Sequence, residues 1–60
     1  MNTHDQKNVV KASQTATLLT QDLRNLVKSD NPLLADIGFE ILEQAAHIEQ
    51  RLKRIESSLK

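Results

Sequence analysis

Apolar residues recur every three or four positions along two stretches of this 60-residue chain. The first stretch contains Val9, Ala12, Ala16, Leu19, Leu23 and Leu26, and the second contains Leu34, Gly38, Ile41, Ala45, Ile48, Leu52, Ile55 and Leu59. Steps of three and four keep side chains on one face of an α-helix. The pattern therefore predicts two amphipathic helices, over about residues 5–28 and 32–59, in one domain spanning 1–60.

The segment between the two stretches is too short for anything but a reversal of the chain. Asn31 suits the N-cap position of the second helix, and Pro32 suits its first turn, where a missing N–H costs nothing. We therefore expect an all-α antiparallel hairpin with its turn at residues 29–31. Its expected apolar layers are Leu26–Leu34, Leu19–Ile41, Ala16–Ala45, Ala12–Ile48 and Val9–Leu52, with Gly38 opposite Leu23.

A domain of 60 residues buries too little apolar surface to be very stable without help from disulfides, a metal or another chain. The chain has no cysteine, and its two histidines are too far apart in sequence to suggest a metal site. Self-association remains, so we expect two hairpins to form a homodimeric four-helix bundle. The candidate dimer and core residues are Val9, Ala12, Ala16, Leu19, Leu23, Leu26, Leu34, Ile41, Ala45, Ile48, Leu52 and Ile55.

Composition and charge exclude several kinds of function. Eight basic and eight acidic residues give a net charge of zero, and Phe39 is the one aromatic residue. This composition argues against a nucleic-acid coat protein, a membrane binder and a small-molecule pocket. No spacing of nucleophile, histidine and carboxylate indicates catalysis. We expect a cytoplasmic protein that is not an enzyme and that has no catalytic residue, cofactor or metal.

The second helix has more apolar residues than one seam needs. A further stripe contains Ala35, Phe39, Leu42 and Ala46, while Ile37 lies beside the main seam and Leu33 is at the start of the helix. This stripe either completes the dimer core or binds another protein. On the second interpretation, Phe39 is the anchor of the partner-binding surface, whose candidate residues are Leu33, Ile37, Phe39, Leu42, Arg51 and Arg54.

The alternation of small and large apolar residues, Ala12, Ala16 and Leu19 facing Ile41, Ala45 and Ile48, resembles the hairpin dimers of Rop-type plasmid copy-number regulators. That resemblance implies binding to paired RNA loops. Rop-like proteins use an exposed aromatic residue on the first helix for this, and the first helix here has none.

In its size, lack of catalytic residues and surplus of apolar surface, the chain is also similar to the helical-hairpin anti-activators that phages direct against quorum-sensing regulators. That resemblance implies a small regulator that binds and inhibits or adapts a larger bacterial protein, such as a transcription regulator. The alternatives are an RNA-binding regulator of the Rop type and a purely structural oligomerisation module.

Overall fold

The computed structural model describes residues 3–59, so Met1, Asn2 and Lys60 of the predicted domain lie outside the described residues. Two helices, α1 (Thr3–Val27) and α2 (Pro32–Ser58), pack side by side as a hairpin of 45 × 14 × 11 Å. The predicted all-α helical hairpin is confirmed. Helix α1 begins two residues before the predicted start, and each helix ends one residue before its predicted end.

Side-chain oxygen atoms hold the turn and the start of α2. The Oδ1 atom of Asn31 accepts hydrogen bonds from the backbone N–H of Leu33 at 3.1 Å and of Leu34 at 3.3 Å. The Asn31 N–H in turn donates to the Oγ atom of Ser29 at 3.1 Å. These bonds satisfy N–H groups that have no partner inside the helix, so Asn31 is the N-cap that the sequence predicted.

Small and polar side chains form most of the contact between the helices. The side chains of Ser13 and Thr20 are fully buried, and Ala16, Leu23 and Ala45 are the buried apolar side chains. Along this contact, buried or half-buried residues follow one another at steps of three and four on both helices: Val9, Ser13, Ala16, Thr20, Leu23 and Val27 on α1, and Ala35, Gly38, Leu42, Ala45, Glu49, Leu52 and Glu56 on α2. We call this set the hairpin seam.

Gly38 marks a close approach of the two helices. A Cβ atom at this position would lie 3.1 Å from Cγ and 3.2 Å from Cδ2 of Leu26, which is tighter than ordinary van der Waals contact. The close approach was predicted, but its partner is Leu26 and not Leu23. The offset shows that the helices pair in a different register from the one that the sequence suggested.

Three of the expected apolar layers, Leu26–Leu34, Leu19–Ile41 and Ala12–Ile48, contain side chains that the hairpin leaves exposed. Leu19 is 49% exposed and Ile41 is 41% exposed, so neither side chain is enclosed between the helices. Ala12 is exposed as well, and Ile48 is 52% exposed. The physical reason is the smallness of the hairpin seam: short side chains let the two helices approach closely, and the larger apolar side chains then lie beside the contact.

Candidate protein-binding surfaces

Four large apolar side chains form an exposed row along α2. Leu34, Ile41, Ile48 and Ile55 are seven residues apart, and each is between 41% and 52% exposed. Seven residues are nearly two helical turns, so these side chains stand almost in line. The row flanks one side of the hairpin seam.

Helix α1 contributes to the same surface. Ala12 and Leu19 of α1 line a shallow groove together with Ile48 and Leu52 of α2, and a second depression further along is lined by Ile48, Arg51, Leu52 and Ile55. The two depressions share Ile48 and Leu52, so they are continuous. We call the surface formed by Ala12, Leu19, Leu34, Ile41, Ile48, Leu52 and Ile55 the isoleucine face.

The total accessible surface of the hairpin is large for its mass. It measures 4770 Å² for 6.8 kDa, whereas the scaling for compact monomers gives about 4,000 Å² at this mass. The excess of roughly 800 Å² reflects the elongated shape of a two-helix hairpin measuring 45 × 14 × 11 Å.

Phe39 lies on the other side of the hairpin. It is 53% exposed, and its position on α2 is roughly 160° around the helix axis from that of Ile41. Ala35, Leu42 and Ala46, which share its stripe, are half-buried, and the first two also belong to the hairpin seam. We call this stripe the Phe39 patch. The hairpin thus has apolar surface on two opposite sides.

The six predicted partner-binding residues do not form one surface. Leu33 and Ile37 are exposed and precede Ile41 by eight and four residues, which places them on the side of the isoleucine face. Phe39 and Leu42 belong to the Phe39 patch. Arg51 borders the isoleucine face, and Arg54 is exposed on the outer side of α2. The role of these six residues in binding stays a prediction, and the residues lie on different sides of the hairpin.

The predicted dimer and core residues fall into three groups by exposure. Ala16, Leu23 and Ala45 are buried inside the hairpin, and Val9, Leu26 and Leu52 are half-buried. The exposed group consists of Ala12, Leu19, Leu34, Ile41, Ile48 and Ile55. This exposed group contains most of the isoleucine face, so half of the predicted core residues are only partly covered within one chain.

Sequence reasoning missed the buried hydroxyl groups of the hairpin seam. Thr20 Oγ1 donates to the Ala16 carbonyl at 2.8 Å, whereas the buried Ser13 Oγ atom has no hydrogen-bond partner. The signal was present in the sequence, because Ser13 and Thr20 continue a stripe of unbroken three- and four-residue steps. A search restricted to apolar residues skips them.

The described residues contain no group of three or more histidine, aspartate or glutamate side chains placed to hold a metal ion. Within the same range, neither helix is long and apolar enough to cross a membrane. His47, which lies between Glu43 and Arg51 at steps of four, is exposed.

Comparison with protein-family models, with curated proteins and with solved structures finds no match to this chain.

Proposed function

We propose that this chain is a small, non-enzymatic cytoplasmic regulator that forms a homodimeric four-helix bundle and binds a larger bacterial protein, such as a transcription regulator, to inhibit or adapt it. The observation that carries the proposal is the presence of two apolar surfaces on opposite sides of one hairpin. Association of two copies through one of these surfaces leaves the other surface available to a different protein.

The isoleucine face is the better candidate for self-association. It extends along most of the hairpin and includes side chains from both helices. Fully burying one large aliphatic side chain contributes about 1.5–3 kcal/mol, and these four are still 41–52% exposed in the single hairpin, so roughly half of that contribution remains for each. A row of four can therefore add to the low stability expected of so short a chain. Pairing two such faces places four helices around a common apolar core.

The Phe39 patch is the better candidate for a different partner. It is shorter than the isoleucine face, and one large aromatic side chain stands out from it with half-buried neighbours on both sides. Binding hot spots typically consist of an aromatic anchor surrounded by contacts of smaller energy. A groove or pocket on the partner would receive Phe39.

The test is capture of partners from bacterial lysate by the tagged chain, by its Phe39→Ala variant and by its Leu18→Ala variant. Leu18 is the matched control, since it is a large apolar side chain, 62% exposed, on α1. We expect wild type and Leu18→Ala to retain the same protein after nuclease treatment. Phe39→Ala should bind that protein at least about tenfold more weakly, because truncating a hot-spot anchor costs about 2 kcal/mol or more and each 1.4 kcal/mol is tenfold in affinity.

Two results would contradict the proposal. If Phe39→Ala unfolds or loses the dimeric mass while Leu18→Ala does not, Phe39 belongs to the structural core. If capture depends on RNA and is lost after nuclease treatment, the chain acts as an RNA-binding regulator of the Rop type. Circular dichroism and sedimentation of each variant decide between these results and a true loss of binding.

A further inference from the structure

Four exposed charges border the isoleucine face in a regular arrangement. Lys11 lines the groove of this face on α1, and Arg51 lines it on α2. Asp22 follows Lys11 by eleven residues, and Glu40 precedes Arg51 by eleven residues. Eleven residues are close to three helical turns, so each acid lies on the same stripe as its base, about 16 Å along the helix.

The hairpin sorts these charges by sign along its length. Leu26 packs against Gly38 near the turn, and Gln6 and Val10 lie beside Glu56 and Leu59 at the other end. In this register, Lys11 and Arg51 are both in the half away from the turn. Asp22 and Glu40 are both in the half near the turn. All four side chains are exposed.

From this arrangement we infer that the occupant of the isoleucine face is a second copy of the chain, packed antiparallel so that its turn lies over the far end of the first. This inference rests on the homodimer proposed above and specifies its orientation. An antiparallel copy places Lys11 and Arg51 of one hairpin beside Asp22 and Glu40 of the other. A parallel copy would place bases beside bases and acids beside acids, which disfavours association.

The apolar row fits the same orientation. Ile41 and Ile55 lie seven residues on either side of Ile48. A two-fold axis at Ile48 therefore brings Ile41 of one copy to the level of Ile55 of the other. The midpoint between Lys11 and Asp22 on α1 falls beside Leu19 and Ala16, which lie next to Ile48 across the groove. One axis near Ile48 thus relates three residues of the apolar row, Ile41, Ile48 and Ile55, and the two charges of the α1 rim, as a closed symmetric dimer requires. The midpoint between Glu40 and Arg51 on α2 lies less than one helical turn from this axis, on the side of the hairpin turn.

The orientation is tested by measuring the distance between spin labels in the dimer of the full-length chain. The chain has no cysteine, so Asp30→Cys in the turn introduces a single labelling position. We expect the two labels to be separated by nearly the 45 Å length of the hairpin. A short separation, set by the roughly 10 Å spacing of packed helices, would overturn the antiparallel arrangement and leave the dimer in place.

The charged rim is tested separately by Lys11→Glu/Arg51→Glu, with Lys7→Glu/Lys53→Glu as the matched control of equal charge change. We expect the first variant to dimerise about tenfold more weakly and the control to change less, since exposed ion pairs each contribute modestly. Mixing the first variant with Asp22→Lys/Glu40→Lys should restore dimerisation. Equal effects of variant and control would overturn the role of the rim.

Sedimentation of the unlabelled chain separates the two proposals. A mass of one chain at all concentrations would overturn the homodimer and, with it, the orientation. The Ser57→Cys variant carries the label at the opposite pole, on an exposed residue, and provides a second distance if labelling at position 30 disturbs the turn.

Discussion

Ser13 is the residue where this fold departs most clearly from a well-packed apolar contact. Its side chain is fully buried on the hairpin seam, and its hydroxyl oxygen has no hydrogen-bond partner. The neighbouring hydroxyl groups of Thr17 and Thr20 avoid this cost by donating to carbonyl oxygens one turn earlier, at 3.1 Å and 2.8 Å. A buried polar group without a partner lowers stability by about 1–3 kcal/mol.

We therefore expect Ser13→Ala to stabilise the chain by about 1 kcal/mol, because it removes the unpaired hydroxyl and because alanine favours helix more than serine. Urea denaturation at a fixed chain concentration measures the change. Thr15→Ala is the control, since Thr15 is exposed on the same helix and its hydroxyl donates to the Lys11 carbonyl. A loss of stability in Ser13→Ala, larger than in the control, would show that the hydroxyl has a partner in solution.

At the scale of the elements, Asn31 separates the two helices and fixes where α2 begins. Its side chain accepts two backbone hydrogen bonds, and Pro32 follows it directly. Replacing an N-cap by alanine typically costs about 1 kcal/mol.

We expect Asn31→Ala to lower the free energy of unfolding by about 1 kcal/mol, and Asn31→Asp to change it by a few tenths, since aspartate caps equally well. Thermal unfolding monitored by circular dichroism measures both. Equal losses in the two variants would mean that the amide group, and not acceptance at Oδ1, holds the turn.

The helices and the turn were predictable because their signals are local: three- and four-residue steps, an N-cap and a following proline. The rotation of each helix about its axis was not predictable in the same way. Two stripes on α1 each follow unbroken three- and four-residue spacing. One passes through Ala12 and Leu19, and the other passes through Ser13 and Thr20. Hydrophobicity favours the first, yet the hairpin buries the second, because small side chains permit the closer contact.

At the scale of the whole molecule, the burial of the small-residue stripe between the helices explains the candidate binding surfaces. Half of the residues predicted as the core of one hairpin are exposed, as expected if they face a bundle axis. Sequence alone could not assign these residues to a contact within the chain or between chains, because both produce the same spacing. The opposite placement of Phe39 relative to Ile37 follows from helical geometry once the hairpin seam is known.

If the isoleucine face joins two copies, stability must depend on concentration. We expect the thermal midpoint of the wild-type chain to rise with chain concentration, since association favours the folded state by mass action. Ile48→Lys should abolish this dependence, and Leu18→Lys, on an exposed residue away from the isoleucine face, should preserve it. A midpoint that does not change with concentration in the wild type would contradict the dimer.

The brevity of the turn also has a consequence for the time course of folding. Leu26 and Gly38 are only twelve residues apart in sequence, and loops of about this length close in roughly 10–100 ns. Contacts within the hairpin can therefore form outward from the turn long before two chains meet by diffusion. In the proposed assembly, every newly made chain is first a monomeric hairpin whose isoleucine face is exposed. This monomeric period shortens as the concentration of the chain rises.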